Sequence, residues 1–181
     1  MVSVELVSPA AVRGFACPYC RRTLPPEEGG TIAAQAAWGT CGAVAVSESR
    51  PVGLLLIRAA ADAESKAGLA RICTAWVAEG FTRQGTGTAL VQTVAEALVI
   101  ARASELQASS APLHGCAALP PAFLASVGFT PARRAALWRM DLLATVRPHR
   151  RSVLDRIEQI VQSVRPVAPP EPARRHAVAL R

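Results

Sequence analysis

Lysine is almost missing from this sequence: of 20 basic residues only Lys66 is lysine and the rest are arginine. With so much alanine beside it, that bias reflects a GC-rich coding sequence rather than a chemistry. Aromatic residues are equally scarce at 4%, which leaves few stacking platforms and argues against single-stranded nucleic acid as a partner. No apolar run approaches the roughly 18 residues of a membrane-spanning helix. The start, Met1-Val2-Ser3-Val4-Glu5-Leu6, alternates like a strand and lacks the basic-then-apolar pattern of a signal peptide. The expectation is a soluble, cytoplasmic protein with no membrane partner.

Five cysteines, an odd number with no secretory signal, point to reduced thiols rather than a disulfide framework. Only Cys17-Pro-Tyr-Cys20 has ligand-like spacing. A zinc site normally needs a second such pair or a histidine, and the nearest offer, His114-Gly115-Cys116, lies far along the chain. The expectation is therefore no metal and two cysteines in a turn, with a metal on Cys17 and Cys20 as the alternative.

What is present suffices for one core. At 181 residues and 51% hydrophobic, the chain fits one domain plus an appendage. The net charge is +7, and five of those charges fall between Arg147 and Arg181, so the preceding body is nearly neutral. Such charge can attract an acidic partner without identifying it.

Val2 to Val7 reads as a strand, and Ala10 to Phe15 as the start of a short helix after Pro9. The Pro- and Gly-rich stretch from Cys17 to Gly30 reads as loop. Trp38 to Val46 and Val52 to Ala59 read as a hairpin about Ser47 to Pro51. Asp62 to Gly68 reads as a turn, and Leu69 to Val77 alternates as a buried strand. From Thr86 to Ala103 a helix puts Leu90, Val94, Leu98 and Ala101 on one stripe. Leu106 to Leu113 is a weaker strand, Pro120-Pro121 opens a short helix that Gly128 closes, and Leu137 to Leu142 is a last strand. This order predicts an α/β or α+β sheet domain over 1–146. A basic extension over 147–181 follows, with an apolar-faced helix at 152–164 and then a Pro- and Arg-rich tail that cannot form a core.

The strongest chemical signal is the segment Arg83-Gln84-Gly85-Thr86-Gly87-Thr88, where a strand hands over to a helix. There the first helical amides lack partners at the positive end of the helix dipole, and glycine lets a phosphate approach the main chain. A Walker loop would need Gly-Lys-Ser/Thr, and a dinucleotide fingerprint would need a small residue at Leu90; neither is present.

Trp76 to Leu90, read as WVAEGFTRQGTGTAL, and Phe123 to Phe129, read as FLASVGF, resemble the acetyl-CoA segment and the later Gly-Phe helix of the GNAT family of N-acetyltransferases. The resemblance implies a mixed, splayed central sheet flanked by helices. It implies that the pantetheine arm of acetyl-CoA, or another acyl-CoA, inserts beside Val77. Thr82, Arg83, Gln84, Gly85, Thr86, Gly87 and Thr88 would then hold the pyrophosphate. Two departures stand out: Thr82 replaces the usual Arg or Gln, and Leu124 replaces the tyrosine that protonates the departing thiolate. The chain's one tyrosine, Tyr19, lies in the cysteine loop.

The implied activity is transfer of an acyl group to an amine of a small molecule or protein by direct attack on the thioester. A thiol of pKa about 8.5 is a tolerable leaving group, so the missing tyrosine slows this without forbidding it. Candidate proton donors are Cys116 and Ser126, and candidate bases are Glu79 and Glu105, each with a plain structural reading beside it. The alternative is an acyl-CoA-binding module without turnover whose basic tail binds a partner. The helix at 152–164 would pack on the domain or join two copies as a homodimer.

Overall fold

The computed structural model describes residues 1–21, 23, 29–59, 68–112, 115–134 and 136–144. Most of the expected turn, from Asp62 to Ala67, together with His114 and everything after Ala144, including the expected helix at 152–164 and the boundary at 146, lies outside the described residues.

The element order is β1 (Val2–Val7), α1 (Gly29–Trp38), β2 (Gly42–Ser47), β3 (Arg50–Ala59), β4 (Leu69–Val77), α2 (Thr86–Ile100), β5 (Glu105–Ser110), β6 (Ala118–Leu119), α3 (Pro121–Ser126), β7 (Thr130–Pro131) and β8 (Leu137–Asp141). The strands form one mixed sheet in the order β1-β2-β3-β4-β5-β8-β7, with β6 paired to β5. β1 to β4 run antiparallel, β5 lies parallel to β4, and β8 returns antiparallel to β5. No helix among the described residues is long and apolar enough to cross a membrane.

Three features shape this sheet, and the last of them opens the site. First, the hairpin between β2 and β3 closes through Glu48 and Ser49, both at positive φ (49° and 64°), the geometry of a tight type I′ turn. Second, the register between β3 and β4 slips between Leu56 and Ile57, leaving Cys73 as an extra residue that bends β4. Third, β4 and β5 pair only at Leu69–Glu105, Ala70–Leu106 and Arg71–Gln107, and beyond Arg71 they diverge. The short β6 enters that gap: it pairs with β5 at Ser109 and Ser110, while the Ala75 N–H of β4 donates to the Cys116 carbonyl at 2.8 Å. The central sheet is thus splayed as expected.

β3 is buried on both faces. Leu55 and Ile57 join a large core with the α2 residues Leu90, Val91, Val94 and Leu98, each worth about 1.5–3 kcal/mol when removed from water. Leu54 and Leu56 face the other way, into a smaller cluster capped by Val12 and Phe15 of the segment after β1.

Three expectations require correction. Ala10 to Phe15 is not helical but a series of turns, with Ala11, Arg13 and Phe15 bonding back to Ser8, Ala10 and Val12. The interval from Gly29 forms a helix that the sequence did not announce, because an alanine-rich run buries little more than Ala34 and carries no apolar stripe. Trp38 consequently ends that helix, and the strand expected from it begins at Gly42.

Candidate functional site: a cleft at the splayed end of the sheet

The chain leaves β4 through a single 3-10 turn at Glu79–Phe81. Thr82 Oγ1 donates to the Glu79 carbonyl and Gln84 Nε2 to the Gly80 carbonyl, each at 2.8 Å, which winds the loop tightly. Arg83 and Gly85 both adopt left-handed backbone, at φ 57° and 83°. Glycine does this freely, whereas an arginine does so at a cost of about 1–2 kcal/mol that the side-chain bonds on either side must offset. Gly85 is the N-cap of α2 and no side chain caps the helix. The first bond into α2 runs from the Ala89 N–H to the Gly85 carbonyl at 2.9 Å. The amides of Thr86, Gly87 and Thr88 are therefore the orphan donors of a 15-residue helix, at its positive end.

Beside these amides a cleft of about 340 Å³ opens into the splay. One wall is the contiguous segment Val77 to Leu90, contributing Val77, Thr82, Arg83, Gly85, Gly87 and Thr88. The other is assembled from afar, from Tyr19, Leu119, Pro120 and Phe123. Gly87 sets the spacing between the walls: a Cβ there would stand 3.3 Å from two ring atoms of Phe123. Among the described residues, Arg83 is the one charged group in the lining, so the mouth is cationic and the interior apolar.

Of the residues expected to bind the cofactor, six line this cleft; Gln84 instead pins the loop, and Thr86 is buried in the first turn of α2. The catalytic candidates are dispersed. Glu79 is outside the lining, on the 3-10 turn. Glu105 pairs with Leu69 at the far end of β4, eight residues or about 26 Å from Val77, and accepts from Gln107 Nε2 at 2.9 Å. Gln107 accepts in turn from Arg71 Nη2 at 2.9 Å, so Glu105 ends a structural polar chain and is corrected as a base for this cleft. Ser126 is exposed, is not in the cleft lining, and spends its proton on the Phe123 carbonyl at 2.7 Å. Leu124 is wholly buried in the core, while its neighbour Phe123 faces the cleft.

The residue that sequence reasoning missed is Tyr19. Phe15, four residues earlier, packs on Trp76 at 5.7 Å between ring centroids, and this holds the segment after β1 against the end of β4. Because the Ala78 N–H donates to Val52 of β3 at 2.8 Å, the preceding Val77 N–H points the opposite way, into the splay. There the Val77 main chain lies beside the Tyr19 phenol. Burial first, then the neighbouring Cys17, push the phenol above its usual 10.0, against the lowering effect of the Val77 backbone. The only sequence signal was that Tyr19 is the sole tyrosine; nothing in spacing could locate it.

Cys116 does not line the cleft, but its thiol lies with those of Cys17 and Cys20, all three sulfurs within 4.8 Å of one another. The partner that seemed too far along the sequence is thus adjacent in space.

A family model for the acetyltransferase (GNAT) family matches residues 13–114, more than half of the chain. The chain belongs to the GNAT acetyltransferase family. Solved GNAT folds agree over most of their lengths. PaiA N-acetyltransferase from Thermoplasma acidophilum, in complex with coenzyme A, superposes with a TM-score of 0.53 at 11% identity, covering 78% of this chain and 99% of that one. A GNAT family N-acetyltransferase from Escherichia coli in complex with CoA gives 0.52 at 14%, covering 78% and 81%. Ard1 from Thermoplasma volcanium gives 0.51 at 15%, covering 76% and 94%. At such identities the likeness establishes the fold. No curated protein matches in sequence.

Proposed function

We propose that this GNAT protein transfers an acyl group from an acyl-CoA, acetyl-CoA in the simplest case, to an amine of a small molecule or a protein. The observation that carries the proposal is the juxtaposition of orphan amides at Thr86 to Thr88 with an apolar cleft running into the splayed sheet. A pyrophosphate accepts from those amides and pairs with Arg83, and the uncharged pantetheine arm suits the apolar interior. The CoA-bound state of two structural neighbours supports the same reading.

In this reading a neutral amine attacks the thioester carbonyl carbon, the carbon–sulfur bond breaks, and the sulfur leaves as thiolate. Tyr19 replaces the missing tyrosine as proton donor: its phenol, held above 10.0, is protonated at neutral pH and reaches into the splay. The ammonium formed by the attack returns a proton through solvent. Glu79, on the 3-10 turn outside the lining, is the remaining candidate base and would act on the amine only through a chain of waters. Five cysteines outside any disulfide fit a reducing cytoplasm as the place of action.

One observation favours a second reading, an acyl-CoA binder without turnover. The splay-facing Ala75 amide of β4 already has a protein partner, the Cys116 carbonyl. Thermal stabilisation by acetyl-CoA and longer-chain thioesters tests the binding site, with about 2.7 kcal/mol expected at a hundredfold excess over Kd. Release of free CoA thiol with a panel of amines separates the readings. Tight binding without release for every amine rejects the transferase, and indifference to every thioester rejects both.

A further inference from the structure

Two tight turns, distant in sequence, meet beside the cleft. The first spans Cys17 to Arg21 and is closed by the Arg21 N–H donating to the Cys17 carbonyl at 2.7 Å. The second spans Gly115 to Ala118 and is closed by bonds in both directions between its ends, at 3.1 and 3.3 Å. Each turn is further fixed from outside: Phe15 packs at a tilt on Trp76 on one side, and the Cys116 carbonyl accepts from Ala75 on the other. Their thiols converge, with Cys17 almost fully buried at 1% exposure, Cys116 half-buried and Cys20 exposed.

We infer that Cys17, Cys20 and Cys116 form a three-thiolate site for a soft divalent cation, Zn²⁺ above all, that ties the segment after β1 to the turn before β6 across the splay. The donor set selects the metal: thiolates favour Zn²⁺ over Mg²⁺ or Ca²⁺, which take oxygen ligands. The geometry requires little movement. Sulfurs bound tetrahedrally at about 2.3 Å from zinc stand about 3.8 Å apart, and these already lie within 4.8 Å. Thiols bind such a cation as thiolates, so zinc uptake releases thiol protons.

The consequence for the cleft follows from connectivity. Tyr19 lies between two of the ligands, and the third, Cys116, leads into β6 and the wall residues Leu119 and Pro120. The metal therefore fixes the assembled wall and the position of the phenol over Val77, without itself lining the cleft.

Metal content of the full chain, purified from zinc-supplemented cells without chelator, tests this independently of any acyltransferase activity. The expected result is one zinc per chain. Titrating the metal-free protein with Co²⁺ should give the intense thiolate-to-cobalt absorption of a tetrahedral sulfur site. C116A should weaken cobalt binding by at least the roughly 10- to 100-fold that even outer-shell changes cost a metal site, while C73A, a thiol outside the cluster, should leave it unchanged. The inference is overturned by wild-type protein that carries no stoichiometric zinc and gives no thiolate band with Co²⁺. Because the wild-type titration decides the matter, a variant that fails to fold does not protect the idea.

Discussion

The two walls of the cleft were built in opposite ways. The loop wall, from Val77 to Leu90, is one uninterrupted segment whose role follows from where a strand ends and a helix begins. The facing wall gathers Tyr19, Leu119, Pro120 and Phe123 from segments a hundred residues apart. A contiguous wall depends on local backbone conformation, so single substitutions should perturb binding first. An assembled wall depends on the packing that holds its parts, so substitutions there should disturb stability or chemistry.

The largest effect expected from that contrast lies on α3. Leu124→Ala, at a position with no exposure, should cost about 2–5 kcal/mol in urea denaturation, whereas Phe123→Ala, facing the cleft, should cost clearly less and weaken acyl-CoA binding more. Equal losses from the two would show that the assembled wall is not anchored through the core.

Next comes Tyr19→Phe, which keeps the ring and removes the proton. Turnover should fall on the order of a hundredfold, the lower end for a general acid because a thiolate leaves readily, with acyl-CoA affinity little changed. A variant with unaltered kcat would leave Tyr19 only a wall residue and strengthen the non-catalytic reading.

Gly85→Val should act on the other wall. A β-branched residue at φ 83° carries about 1–3 kcal/mol of strain, and relieving it turns the orphan amides away, so thermal stabilisation by acetyl-CoA should disappear. Full retention of that stabilisation would mean the loop does not bind the pyrophosphate.

The smallest effect concerns pH. Burial pushes Cys41 from 9.0 to about 11, so its thiol contributes stability that is fully present below pH 9 and is lost as pH rises toward 11. Cys41→Ala should flatten the stability profile across that window. An unchanged alkaline slope in Cys41→Ala would assign the loss elsewhere.

Much of the fold was legible from sequence for reasons that differ by element. Val2–Val7 and Leu69–Val77 alternate between apolar and polar or small residues, and α2 carries Leu90, Val94 and Leu98 at the helical period; these are one-dimensional signals. The helix at Gly29–Trp38 had no such signal, since alanine packs as readily against β3 without a stripe. β6 and β7 are two-residue strands that exist only because longer neighbours present free edges to them. Its chemistry makes Glu105 a candidate base, yet parallel pairing of β5 beside the start of β4 carries it to the end of the strand away from Val77.

By itself, the order of residues determined the strand, the left-handed glycine turn and the helix start, because orphan amides are a property of the local backbone and need no distant partner. Only the folded chain decided that Cys116 meets Cys17 and Cys20, and that Tyr19 reaches Val77. Those meetings depend on how far two strands diverge and on which loop fills the gap, and packing, not spacing along the chain, sets both.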